Sequence, residues 1–290
     1  MVDKNELMNE LHDLLEGAID VINKDYADCV PDAWKASLQR RDKREPGRRE
    51  KQLLTDKIYS AIRKHMGRIR DRLKQRVGIK SEIGNLIDDV VDWEDPEFIR
   101  ELIKLLQVAG IGGISLFKDK IGVGFDFTLV NAEVAKWAST YAFDLAKDIS
   151  KTTAEALKKS VEAFIATPGY SMGDIVKDLL DNGLSALGEQ SIEQRAWNIA
   201  TTEVTRAYAQ GQQQGADALA EAYPDVRIIK RWYTNNDDKV CEFLCEPLDG
   251  KEVAEDENFY EPESDYEDGN PPRHVNCRCW MDYTTKITDD

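Results

Sequence analysis

The sequence predicts an α+β protein, with a mostly α-helical N-terminal and middle region followed by a small C-terminal mixed α/β domain closed by a Cys/His cluster. Three observations lead there. Apolar residues recur every three or four positions through most of residues 5–222, and the period falls to two after Pro224. Four of the five cysteines then gather with His274 in the last third of the chain.

Taken in order, Leu7, Leu11, Leu14, Leu15, Ala18, Ile19 and Ile22 predict a first amphipathic helix over 5–24, and Pro31 and Pro46-Gly47 punctuate the stretch after it. From Glu50 to Val77 the residues Leu53, Leu54, Ile58, Ala61, Ile62, Ile69 and Leu73 trace one face of a long helix with basic residues between them. Helical periodicity resumes from Glu97 to Val108. Between Ala109 and Val130 five glycines alternate with Ile, Phe and Val, which predicts a loop or short hairpin. The Gly110-Ile111-Gly112-Gly113 run lacks the Gly-Lys-Ser/Thr of a phosphate loop, so its glycines are expected to serve backbone geometry.

Asn131 precedes a helix over 132–149, and Thr152-Thr153-Ala154-Glu155 predicts an N-cap opening the next one, which ends near Thr167-Pro168-Gly169. Ser171 to Asp174 start another, ending near Asn182-Gly183. The last helix of the series, Ile192 to Ala222, carries Ala196, Ala200, Ala207, Gly211, Gly215 and Ala218, small residues that admit a close neighbour. Beyond Pro224, Arg227 to Thr234 is β-branched and aromatic, and Asn235-Asn236-Asp237-Asp238 is a turn. A second turn at Asp249-Gly250, an acidic loop to Pro271-Pro272 and a last strand to about Thr285 complete the chain.

The cluster reads Cys-x3-Cys, a gap of 28 residues, then His-x2-Cys-x-Cys. Thiolate and imidazole are the ligands tetrahedral zinc prefers, and two short-range pairs joined by a long loop bring four of them together. The preferred quartet is Cys241, Cys245, His274 and Cys277, with Cys279 as alternate ligand. Reduced buried thiols without metal, or a disulfide in an oxidising medium, are the competing outcomes.

Charge is unevenly spread. Between Lys35 and Lys80, 17 Lys and Arg against five acids give +12, so the rest of the chain carries −28 of the net −16. Such a basic arm can track a phosphate backbone or the acidic surface of a partner, through Arg40, Arg41, Arg44, Arg48, Arg49, Arg63, Lys64, Arg68, Arg70 and Arg72. A solvated helix face with surplus cations is the plainer outcome, since only Tyr59 offers an aromatic ring for base stacking. No apolar run approaches the ~20 residues that span a bilayer, and the first residues lack a signal-peptide pattern, so no membrane partner is expected.

Four segments in order resemble the minor head proteins of tailed bacteriophages, the phage Mu protein F-like head morphogenesis family. They are Phe127 to Asn131 with the Trp137 helix; Thr152-Thr153; Arg195 to Arg206, which includes Thr202-Glu203-Val204; and Lys230 to Thr234 with Asp237 to Cys241, Cys245, Leu248-Asp249-Gly250 and His274 to Cys279. Thr201-Thr202 departs from the Ala or Arg common before Thr-Glu in that family. The resemblance spans roughly 120–285 and implies a low-copy structural protein of the capsid interior, made in the host cytoplasm. It also implies portal, capsid and scaffold proteins as partners, with packaged DNA as a further one. On this basis 1–110 is expected to form a helical region bearing the basic arm at 35–80. Residues 111–285 would form the minor head domain, with helices over 131–222 and a β/Cys-His subdomain over 225–285.

No catalytic residues are expected. The alternatives are a metal-dependent hydrolase or nuclease, or a zinc-containing nucleic-acid-binding protein. The chain has three histidines, and none besides His274 lies near the cluster in sequence. Asp237 and Asp238 belong to a turn pattern, and five candidate ligands favour a closed site over one with an open position. Glu203 and Arg206, one helical turn apart, are expected to form a structural ion pair holding their helix against the β domain. The sequence runs only a few residues past the cluster, so no toxin or transferase domain is expected behind it.

Overall fold

A computed structural model of the protein describes residues 45, 47–76, 91, 95–122, 128–165, 192–235, 237, 239–261 and 269–287. Among these are four helices, α1 (Arg48–Arg76), α2 (Pro96–Ile121), α3 (Thr128–Ile165) and α4 (Ile192–Ala222), and three strands, β1 (Val226–Tyr233), β2 (Glu252–Ala254) and β3 (Trp280–Ile287). The architecture is α+β. The helices expected at 5–24 and from Ser171 lie outside the described residues.

Helix α1 presents Leu54, Ile58, Ala61, Ile62, Met66 and Ile69 to the core, and its stripe packs against α2 and α4. Helix α2 opens on Asp95, whose carboxylate accepts the amides of Glu97 and Phe98 while Pro96 takes the first position. The same carboxylate accepts from Arg68 Nε at 2.9 Å and lies 3.0 Å from His65 Nδ1, joining α1 to the cap of α2. His65 stacks on Phe98 at 4.3 Å between ring centroids. Burial alone would raise the Asp95 pKa, but hydrogen bonds from His65, the Phe98 amide and Arg68 lower it to about 2.

Two sequence expectations are overturned here. Residues 109–121 are neither loop nor hairpin: α2 runs on to Ile121 and ends at Gly122 in a left-handed C-cap. Its glycines cost intrinsic helix stability, but they let the α2 backbone meet that of α4 directly. A Cβ on Gly211 of α4 would stand 2.8 Å from the Gly110 carbonyl carbon and closer still to its oxygen, so neither helix has room for a side chain at this crossing. Residues 110 and 111, the expected junction of two regions, both lie inside α2.

The second correction concerns α3, which starts at Thr128 and does not break near 150. Thr152 and Thr153 donate their hydroxyls to the carbonyls of Asp148 and Ile149 one turn earlier, so they sit in mid-helix and cap nothing. Asn131 likewise lies within this helix.

The sheet is antiparallel in the order β2-β1-β3, with Ile229 paired to Ala254 and to Thr284, and Trp232 to Met281. Ile228 and Trp232 of the central strand are fully buried. A core of Ile114, Phe117, Val134, Leu219, Ile228, Trp232, Phe259, Met281 and Tyr283 joins the sheet to the C-terminal halves of α2 and α4 and takes in Cys245, Cys277 and Cys279. No helix among the described residues is long and apolar enough to cross a membrane.

Candidate metal centre

Two turns carry the cysteines. After β1 the chain folds back so that the amides of Cys245 and Glu246 both donate to the Cys241 carbonyl, placing Cys245 at the foot of a short 3-10 turn, Glu246–Leu248. The second turn is His274 to Cys277, closed by the Cys277 amide donating to the His274 carbonyl at 3.1 Å. Its third residue, Asn276, has φ 62°, a left-handed backbone that Asn tolerates better than most residues with a Cβ.

These turns bring the sulfurs of Cys245, Cys277 and Cys279 within 4.8 Å of one another, all buried. Cys245 Sγ lies 3.9 Å from Cys277 Sγ and 3.1 Å from His274 Nε2. Tetrahedral zinc with thiolates at about 2.3 Å separates two sulfurs by about 3.8 Å, so the first spacing is that of a tetrahedron's edge. A disulfide would require about 2.05 Å, and the four described cysteines are free thiols. His274 Nδ1 lies 2.9 Å from the Val275 carbonyl; with its proton donated there, Nε2 faces Cys245 as a lone pair.

Residues two apart in an extended chain share a face, so strand geometry gives no ground for preferring Cys277 over Cys279; here the chain through Cys277, Arg278 and Cys279 is irregular and β3 begins only at Trp280. Cys277 and Cys279 therefore both turn inward, to join Cys245. Cys241 is half-buried and stands outside the group of three.

Hydrogen bonds from Cys245 and Cys279 hold the Cys277 thiol well below its usual range, against its own burial and with help from His274. Cys245 is pushed up, chiefly through its hydrogen bond to Cys277, and Cys279 through its bonds to Cys245 and Cys277. Three thiolates this close repel one another in a dry site unless a cation neutralises them.

Helix α4 holds the cluster in place. Thr202 Oγ1 accepts the Asn276 amide at 2.8 Å, and Thr205 Oγ1 donates to the Cys277 carbonyl at 3.1 Å. Further along the helix, Gln212 donates to the Met281 carbonyl and Gln213 to that of Glu255. Small residues at 200, 207 and 211 predict close packing, but nothing in the sequence says that these threonines and glutamines would bond the backbone of the cysteine turns and strands.

Glu203 and Arg206 face elsewhere. Their side chains lie 3.4 Å apart, and Glu203 accepts the Tyr141 hydroxyl at 2.7 Å while Arg206 lies over the Tyr141 ring. This group therefore looks toward α3. Burial raises the Glu203 pKa, opposed by Arg206 and Tyr141. Asp237, a candidate base by position, is gripped at both oxygens by Arg278, each bond 2.7 Å, which makes it part of the scaffold.

Of the basic arm, Arg40, Arg41 and Arg44 lie outside the described residues, as does the side chain of Arg70. Arg68 binds Asp95, and Lys64 lies 3.5 Å from Glu101. Lys51 pairs with Glu45 in the interior. Arg49, Arg63 and Lys64 are exposed, Arg63 lies over the Tyr59 ring, and Arg48 and Arg72 are half-buried. Part of the arm's charge is thus used to fasten α1 to the body.

No curated protein and no solved structure matches the chain. Residues 147–281, from the second half of α3 through α4 and the cysteine turns into β3, match the family described as Phage Mu protein F like protein. Over that stretch, a little under half of its length, the chain is similar to the phage Mu protein F-like family.

Proposed function

We propose that the protein is a structural minor head component of a tailed phage, assembled in the host cytoplasm and retained inside the capsid near the portal. The observation that carries this is the family match over residues 147–281. The geometry is in keeping with it. The three clustered cysteines are buried and their turns are tied by backbone hydrogen bonds, which suits a stabilising role better than hydrolysis, where a metal keeps a position open to water. Contact with the portal, or with packaged DNA, falls to the exposed cations of α1, Arg49, Arg63 and Lys64.

Quantitative mass spectrometry of gradient-purified particles tests the assignment. A few copies per head, retained after nuclease treatment and absent from isolated tails, are the expected result. Absence from both procapsids and mature heads would overturn it. Reversing Arg49, Arg63 and Lys64 to Glu should cut incorporation into particles if α1 makes the portal contact.

A further inference from the structure

We infer that the protein holds one zinc ion in a closed site of three sulfurs and one nitrogen, made by Cys245, Cys277, Cys279 and the Nε2 of His274, with Cys241 excluded from coordination. Three observations carry this set over the spacing-based quartet that includes Cys241. The three sulfurs converge within 4.8 Å; Cys241 and His274 both lie outside that group, and of the two it is His274 that contacts one of its sulfurs. The 3.9 Å separation of Cys245 and Cys277 is a tetrahedral edge. His274 Nε2 stands outside that group but lies 3.1 Å from the Cys245 sulfur with its lone pair left free by the Nδ1 contact, so it is the nitrogen an ion held by the sulfurs would draw in. The donor set, three soft thiolates and an imidazole, suits zinc over the oxygen-seeking cations.

Formation of the site releases the thiol protons to solvent and leaves a net charge of −1 on the four ligands and the metal. This is a smaller burden for a dry interior than unpaired thiolates. Because Thr202 and Thr205 bond the backbone of Asn276 and Cys277, the ion also fixes the second turn against α4. Loss of metal therefore frees a strand connection and a helix face together. The site is independent of where in the particle the protein resides.

The experiment uses the full chain purified under reducing conditions. Elemental analysis should find one equivalent of zinc. Cysteine alkylation mapped by mass spectrometry should label Cys241 with or without chelator, and Cys245, Cys277 and Cys279 only after chelator is added. Cobalt in place of zinc should show charge-transfer intensity for three thiolates, undiminished in Cys241→Ser, and His274→Cys should raise it to that of four. Cys279→Ser should weaken zinc binding by more than about 100-fold, beyond the loss typical of an outer-shell partner. A metal-free wild-type chain overturns the site. Chelator-dependent protection of Cys241 in place of Cys279 overturns the ligand set, and this mapping needs no variant to fold.

Discussion

Alanine at two helical glycines should move stability in opposite directions. At Gly67 in α1, an added Cβ meets no atom within 4 Å. Gly67→Ala should therefore stabilise by about 0.5–1 kcal/mol, the helix-propensity difference. At Gly211 in α4 the same Cβ falls 2.8 Å from the Gly110 carbonyl carbon and 3.1 Å from its Cα, with the carbonyl oxygen nearer still. Ordinary contact begins near 3.4 Å, so α2 and α4 must part by an ångström or so. A gap of that size forfeits roughly a quarter to a half of the dispersion energy of each contact it opens. Overpacking of this kind costs about 1–3 kcal/mol and more where backbone is the obstacle, against a propensity gain of about 1 kcal/mol. Gly211→Ala should end at least about 1–2 kcal/mol less stable than wild type. Urea titrations of both variants, followed by helical circular dichroism, measure the midpoints at an unchanged slope. If Gly211→Ala is as stable as wild type, or shifts in the same direction as Gly67→Ala, the backbone contact between α2 and α4 is wrong.

Two further outcomes concern charge. Asp95 has a folded pKa near 2, lowered from 3.8, so its stabilisation is complete above about pH 4 and is lost as pH falls through 2. That difference corresponds to about 2 kcal/mol, and Asp95→Ala should lose a comparable amount at neutral pH and flatten the acid limb of the stability curve. Glu203 shows the opposite sign: burial raises its folded pKa, so stability declines as pH rises from its unfolded value of about 4.5 through the folded one. Glu203→Gln keeps an acceptor for Tyr141 and should abolish that decline with a change under about 1 kcal/mol at low pH, whereas Glu203→Ala, which strands the Tyr141 hydroxyl, should cost about 1–3 kcal/mol. Thermal melts across pH distinguish them.

The sequence by itself determined the α+β class, α1 to within two residues at its start, α4, the central strand and the cysteine-rich turns, because each is written in local periodicity or spacing. The family region was legible from ordered short motifs. Tertiary structure alone decided whether the glycines of 110–113 and the threonines of 152–153 break a helix. They do not, because α4 stabilises the glycine face and the preceding carbonyls receive the threonine hydroxyls. It also decided which sulfurs meet. Spacing leaves five donors for four positions, and Cys277 and Cys279, two residues apart, are not separated by any local periodicity. Convergence of Cys245 with Cys277 and Cys279 is a contact across more than thirty residues, fixed by α4 through Thr202 and Thr205. Local pattern carries no record of such a contact, because its energy comes from partners that only the folded chain brings together.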